Sequence, residues 1–480
     1  MARDEILESL YETYSGVRAD SSERLTQSGS DREYFRMKGQ GGTVIGVVGT
    51  SAEENRAFCS ICRHFNSKGL PVPSLLAVSG DFSRYLQSDL GDLSLYDALE
   101  QCRTSGVYDP QSVTLLEKVV RILPDFQFKG AEGMDFTVCY PVGSFDHRSV
   151  MWDLNYFKYC FLKPSGVEFH EARLENGFEA LVSMLLEGSP YDTFMYRDFQ
   201  SRNIMVCNGE PWFIDFQGGR RGPVMYDIVS FLWQARAAYP EELRSHLLDV
   251  YIDSVSRYIA IDRAAFSAKV RLFALFRTLQ VLGAYGYRGN FERKSAFLQS
   301  VPQALANLGS LLDILDGDSL QYLASVLRQL IGLPRYSQMP SIVPDILTVR
   351  ITSFSFRKGI PEDCSGNGGG FVFDCRSMKN PGLYDRYKML DGTSPEVIGF
   401  LDSQGEIQKY MESVIGLVDP AVEKYLSRGF TNLAVNFGCT GGRHRSVCCA
   451  ERLATHLHDV YGNRIKVLLH HREMKSTREL

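Results

Sequence analysis

The sequence predicts two domains of different class, an α+β domain of two lobes followed by a smaller α/β domain with a mainly parallel sheet. Three observations predict this. The chain has 480 residues, too long for one ordinary core at roughly 100–200 residues per domain. From Ser94 to about Leu330 the apolar residues recur at helical spacing, with one compact strand-and-loop interruption between Met195 and Phe216. From Leu347 onward strands alternate with helices, the pattern of parallel strands joined by helical crossovers.

The elements follow in order. A charged helical pattern opens the chain, and Ser28 to Met37 leads into a β-branched run, Thr43 to Val48. A helix over Glu53 to Phe65, a loop with Pro71 and Pro73, and strands up to Gln87 complete an N-lobe of about residues 1–93. A helical C-lobe spans about 94–332. Residues 333–346 carry Pro334, Pro340 and Pro344 and read as a linker. The last domain, 347–480, shows strands at Leu347 to Phe356, Gly370 to Asp374, Asn432 to Phe437 and Lys466 to Leu469. Its helices run from Glu406 to Leu426 and from Arg445 to His458.

Composition limits the function. The chain is 44% apolar and 23% charged, as expected of a globular protein. A net charge of −5 argues against a generally basic nucleic-acid binder. Charge is uneven: from Asp345 onward there are 18 Lys and Arg against 16 Asp and Glu, whereas the rest is acidic. Eleven cysteines without regular spacing, and no apolar signal segment, predict reduced thiols and a cytoplasmic location. No apolar stretch is long enough for a membrane span. Cys59 and Cys62 stand alone in a helical pattern, so they read as core rather than as a zinc or redox pair.

Two constellations carry chemistry. The first is Tyr196-Arg197-Asp198-Phe199-Gln200-Ser201-Arg202-Asn203, followed after a turn at Asn208-Gly209 by Phe213-Ile214-Asp215-Phe216. Phosphoryl transfer needs a carboxylate beside the acceptor hydroxyl, and an amide oxygen with a second carboxylate to hold Mg²⁺. Asp198 fits the base, and Asn203 with Asp215 the metal ligands. An aromatic stripe, Trp152 to Phe161, reads mainly as core, and it offers Asp153 or Asn155 to an acceptor. The second constellation is Cys439-Thr440-Gly441-Gly442-Arg443-His444-Arg445-Ser446, a Gly-rich turn between a strand and a helix. Converging N–H groups, two guanidiniums and an imidazole make a phosphate cradle. The Cys-x5-Arg spacing equally fits a cysteine-dependent phosphatase, although no general acid is singled out.

At the first constellation the chain resembles the aminoglycoside phosphotransferase/choline kinase-like family, and within it the anomeric kinases for N-acetylmuramate and N-acetylglucosamine of cell-wall recycling. The resemblance rests also on Ser30 to Arg36, Ser88 to Asp92, Ile214 to Gln217 and Gly222 to Asp227. It implies a protein-kinase-like bilobal fold, ATP and Mg²⁺, and an amino-sugar acceptor. It also implies nucleotide contacts by Ser30, Asp31, Arg36 and Asp89, substrate contacts by Arg202 and Gln217, and a structural Asp227. Two departures stand out: Tyr196 replaces the family's His, and Gly46 or Val47 stands where kinases carry a lysine, leaving Arg36 as the substitute cation.

The second constellation, with Phe354 to Pro361, Phe373 to Arg376 and Asn380-Pro381, resembles the C-terminal domain of the RNase adapter protein RapZ. That resemblance implies a phosphosugar pocket made by Asp374, Arg376, Asn380, Thr440, Gly441, Gly442, Arg443, His444 and Arg445, beside Cys439. It also implies RNA as a partner, for which the basic end Lys466 to Arg478 is slight support. No G-x4-G-K-[ST] motif precedes it. Oligomeric state is left open. The expectation is an ATP-dependent sugar kinase with a phosphosugar-sensing domain. The alternatives are a regulatory adapter without turnover and a kinase joined to a phosphatase.

Overall fold

Five antiparallel strands in the order β1-β2-β3-β5-β4 build the first lobe: β1 Ser21–Arg24, β2 Glu33–Gly39, β3 Gly42–Val48, β4 Leu75–Val78 and β5 Arg84–Ser88. The computed structural model describes residues 4–25, 32–188, 192–292, 295–337, 346–361, 370–428 and 430–480. They form two compact units, Met1–Gly283 with Gln303–Leu333, and Ala284–Pro302 with Pro334–Leu480.

In the first unit two helices cover opposite faces of the sheet. Helix Glu5–Ser15, capped by Asp4, buries Leu7 and Tyr11 against Met37, Val44 and Leu86. A Cβ on Gly46 would meet Leu7 at 3.0 Å, so a lysine on this face would have to displace the Leu7 side chain. Val47 lies on the other face and is fully buried. There helix Ala52–Ser67, capped by Ser51, lays Phe58 against Tyr85 and Phe216 with ring centroids 4.8 and 4.9 Å apart. Cys59 and Cys62 point into this core, and burial pushes their thiols up to about 11 and about 12. Both are packing residues.

The helical lobe holds two short antiparallel strand pairs that carry the loops of interest. β6 (Thr193–Met195) pairs with β9 (Arg220–Gly222), and β7 (Ile204–Cys207) pairs with β8 (Glu210–Phe213). Asn208 and Gly209 both have positive φ, 53° and 78°, the backbone that a two-residue hairpin turn requires. Helix Pro110–Phe128 packs on helix Glu241–Val255 and under β6 and β8.

The second unit is a five-stranded sheet in the order β11-β12-β10-β13-β14. β10 (Leu347–Ser355), β11 (Gly370–Asp374), β12 (Asn432–Cys439) and β13 (Ile465–His471) are parallel, and β14 (Ser476–Glu479) is an antiparallel edge. Helix Arg445–Tyr461 lies on the sheet and buries Val447, Cys448, Cys449 and Leu453. Ser355, Asp374 and Cys439 therefore end their strands along one edge, where parallel sheets place ligands. Among the described residues no helix is long and apolar enough to cross a membrane.

Candidate phosphotransfer and phosphate-binding sites

Asp227 organises the first site. Its fully buried carboxylate accepts the backbone N–H groups of Tyr196 and Arg197 at 2.8 and 2.9 Å, holding Arg197 at φ 75°. Tyr196, in place of the expected His, buries its ring among Phe126, Phe194, Phe199 and Phe216. Its hydroxyl donates to the carbonyl of Ile214 at 2.6 Å, tying this loop to the one that follows. Asp215 then sits at φ 68°, and the two loops converge. Asn203 Nδ2 donates to the Asp198 carbonyl at 2.9 Å and to Asp215 Oδ2 at 3.1 Å. Burial and the neighbouring Asp198 push the Asp215 carboxyl up, opposed by a 2.8 Å hydrogen bond from Gln217 and by the charge of Arg32. A half-buried carboxylate beside a second one is a place for a cation. Asn203 and Asp215 supply two protein donors, which suits an ion that keeps its other positions for water and phosphate. No cluster of three His, Cys, Asp or Glu side chains is placed to hold a metal among the described residues.

Asp198 lies half-exposed, with the Arg277 guanidinium 3.5 Å from Oδ1. It opens on a cavity of about 250 Å³, also lined by Glu54, Tyr140, Trp152, Asp153, Arg197, Gln217 and Arg220. Of the aromatic stripe, Phe157 and Phe161 are core, while Trp152 is 44% exposed and forms part of this wall. Asp153 pairs with Arg197 at 3.1 Å. Asn155 and Arg202 do not line the cavity.

Ser30 and Asp31 lie outside the described residues. Arg36 is engaged by Asp89 at 2.7 Å and Asp92 at 2.7 Å. The charges of Arg32 and Arg202 both act on Asp215, and Arg32 is almost fully buried and 3.1 Å from Glu54 of helix Ala52–Ser67. Arg32, Tyr34 and Arg36 share one strand face, opposite Val47 and Ile45 across the ladder, so the guanidinium approaches from the strand next to β3. Sequence reasoning missed Arg32, Glu54, Arg220 and Arg277 as site residues. Only the alternation of Arg32 with Arg36 signalled any of them.

In the second unit, Ser355 Oγ donates to the Thr440 carbonyl at 2.7 Å and fixes the start of the Gly-rich loop. Gly442 turns at φ 67°, and its N–H donates to Cys439 Sγ at 3.2 Å; Ser446 Oγ lies at the same distance from the sulfur. Burial raises the Cys439 thiol, but the hydrogen bonds of Ser446 and Gly442 and the charge of Arg445 outweigh it and bring it below its ordinary value. Arg445 is buried and donates to the carbonyls of Arg376 and Met378 at 3.1 and 2.7 Å, so it ties loops together. His444 bonds the Tyr387 carbonyl at 3.0 Å, and Asn380 caps Gly382. Arg443 and Gly441 are exposed on the loop. The exposed Asp374–Arg376 pair, 2.7 Å apart, stands beside it with Arg376 over the Phe356 ring. Of the basic end, Lys466, His471, Arg472 and Arg478 are each engaged by a glutamate.

The model of the phosphotransferase enzyme family matches residues 23–265, and the chain belongs to that family. The RapZ C-terminal domain matches residues 347–475. A nucleotide-binding protein of Thermosipho africanus is 38% identical over 127 residues, 26% of this chain and 42% of that protein. Another from Nitrosomonas europaea is 37% identical over 157 residues, 33% of this chain and 51% of the relative. The chain thus spans about half the length of the curated relatives it matches. Among solved structures, the ADP-bound aminoglycoside phosphotransferase APH(2'')-Ib aligns at a TM-score of 0.44 and 13% identity, over 68% of this chain and 99% of its own. A choline kinase of Streptococcus pneumoniae aligns at 0.45 and 11%, over 64% and 100%.

Proposed function

We propose that the protein transfers the γ-phosphoryl group of ATP to the anomeric hydroxyl of an amino sugar of the N-acetylmuramate or N-acetylglucosamine type. The phosphotransferase domain is assigned to residues 1–332 and a phosphosugar-binding domain to 347–480. One observation supports the reading: Asn203 joins the Asp198 carbonyl to the Asp215 carboxylate, and Asp198 itself lines a cavity with Trp152 and Tyr140 on its wall. Asp198 accepts the proton of the attacking hydroxyl, with Arg277 fixing its carboxylate. Asn203 and Asp215 are the groups that would hold Mg²⁺, which when bound neutralises charge on the phosphates. Arg32, held by Glu54, adds the cation that β3 lacks.

Mg²⁺-dependent ADP release with a panel of sugars tests this. Asp198→Asn should slow transfer roughly 10²–10⁴-fold, and Asp215→Ala should abolish it while weakening nucleotide binding. Phosphorus–proton coupling in the product should put the phosphate on C1. Near-normal turnover of the Asp198 variant would overturn the base assignment, and a C6 phosphate the anomeric one.

A second reading of the C-terminal loop, a cysteine-dependent phosphatase, is favoured by one observation: the depressed thiol of Cys439. The buried sulfur and the engagement of Arg445 by carbonyls favour binding without chemistry.

A further inference from the structure

The acidic groups of the acceptor cavity are matched one by one. Glu54 has Arg32 at 3.1 Å, Asp153 has Arg197 at 3.1 Å, and Asp198 has Arg277 at 3.5 Å. Arg220 is left over. It lines the same cavity at 3% exposure, and its guanidinium donates to the Gly218 carbonyl at 3.3 and 3.2 Å. Among the described residues no carboxylate comes within ion-pair distance of it. Burial and the neighbouring Arg197 pull its pKa down to about 10, and the charges of Asp153 and Asp198, which lie beyond ion-pair distance, offset this only in part. A buried guanidinium without an anion is costly, and an incoming carboxylate would remove that cost.

The position of Arg220 indicates which ligand brings the anion. Arg220 opens β9, in the helical lobe, on the wall shared with Trp152, Tyr140 and Asp153. An exposed indole is a stacking face for a sugar ring. On the proposed function the cation serving the nucleotide is Arg32, in the sheet lobe, whose partner Glu54 lines the cavity from that side. We infer that the preferred acceptor carries a carboxylate as well as the attacking hydroxyl, and that Arg220 receives that carboxylate. This rests on the phosphotransfer reading of the cavity and narrows it to an acidic sugar.

N-acetylmuramate and N-acetylglucosamine differ by one carboxylate-bearing ether, so the pair isolates the charge. With the full chain, kcat/KM should favour the acid by roughly tenfold to hundredfold, the range of a charge-assisted hydrogen bond to a buried group. Arg220→Gln and Arg220→Lys, each checked for an unchanged melting temperature, separate charge from shape. The Gln variant should lose most of that preference through a raised KM for the acid, with the neutral sugar little affected. The Lys variant should keep part of it. Calorimetric binding of both sugars to the wild-type chain is measured in parallel. Arg220-dependent binding of the acid without turnover would defeat the kinase reading and leave this one standing. Turnover that ignores the carboxylate in the wild-type chain would overturn this inference and leave the kinase. An equal loss on both sugars in the Gln variant would assign Arg220 to the nucleotide phosphates and also overturn it, as would the absence of any binding or turnover.

Discussion

Asp227 shows how one side chain can fix a catalytic loop without touching the chemistry. Its oxygens satisfy the N–H groups of Tyr196 and Arg197, and Gln127 reaches it from helix Pro110–Phe128 at 3.4 Å. Asp227→Ala would leave two buried donors unpaired at about 1–3 kcal/mol each. A loss of roughly 2–5 kcal/mol in urea unfolding, with transfer lost as well, is the expected result, and Asp227→Asn should lose less. Burial raises the Asp227 carboxyl to about 7 against the bonds that would lower it. The folded chain therefore keeps a proton that the unfolded chain gives up near the ordinary carboxylate value. Its contribution to stability is complete below that value and declines as pH rises toward 7. Asp227→Asn should flatten the decline between about pH 4 and pH 7. Asp198, Asn203 and Asp215 were legible in the sequence because hairpin β7–β8 brings near neighbours together. Arg32 and Glu54 were not, because a strand and a separate helix meet only after the lobe has folded.

Strand β12, the Gly-rich loop and helix Arg445–Tyr461 form an element that reads almost directly from sequence. A buried apolar strand, two glycines and an amphipathic helix each have a local signature. What local pattern does not carry is the inward turn of the loop. A Cβ on Gly442 would come within 2.8 Å of the Ser355 backbone nitrogen, in a backbone conformation that side chains rarely adopt. A Cβ on Gly441 would meet nothing within 4 Å. Gly442→Ala should cost about 1–3 kcal/mol and free the Cys439 sulfur from its N–H donor. Gly441→Ala should stay within about 0.5 kcal/mol. The measurement is the thermal transition of this unit in the full chain, assigned by hydrogen exchange in helix Arg445–Tyr461. Equal stability of the two variants would show that the tight turn is not needed. Arg445 makes the complementary point: its charge and position suggested a phosphate ligand, yet tertiary structure gives its Nη1 to carbonyls from the segment after β11 and its Nη2 to the Thr440 hydroxyl. Residue type announces a capacity, and the fold decides which partner claims it.

At the scale of the whole chain, the two constellations make separable demands, because each is built from residues of its own unit. On the proposed function the first needs a base and a cation-holding carboxylate. The second needs N–H groups and an exposed guanidinium, and here binding and catalysis make opposite claims about one sulfur. If the loop binds a phosphosugar without chemistry, Cys439→Ser should leave binding nearly intact, since a hydroxyl can accept the same Gly442 and Ser446 bonds. Arg443→Ala should weaken binding roughly tenfold or more, because a hydrogen bond to a charged group is worth about 1.5–3 kcal/mol. Neither change should alter the chemical step of transfer, just as Asp198→Asn should slow transfer and leave phosphosugar binding unchanged. Calorimetry with glucosamine 6-phosphate and sugar 1-phosphates, run beside a phosphate-release assay on the full chain, reads both quantities. Phosphate release from a phosphomonoester that persists in Asp198→Asn and vanishes in Cys439→Ser would make the sulfur a nucleophile and replace the binding reading. The engagement of Arg445 by backbone carbonyls and the burial of Cys439 argue for the opposite outcome: Arg443-dependent binding without release.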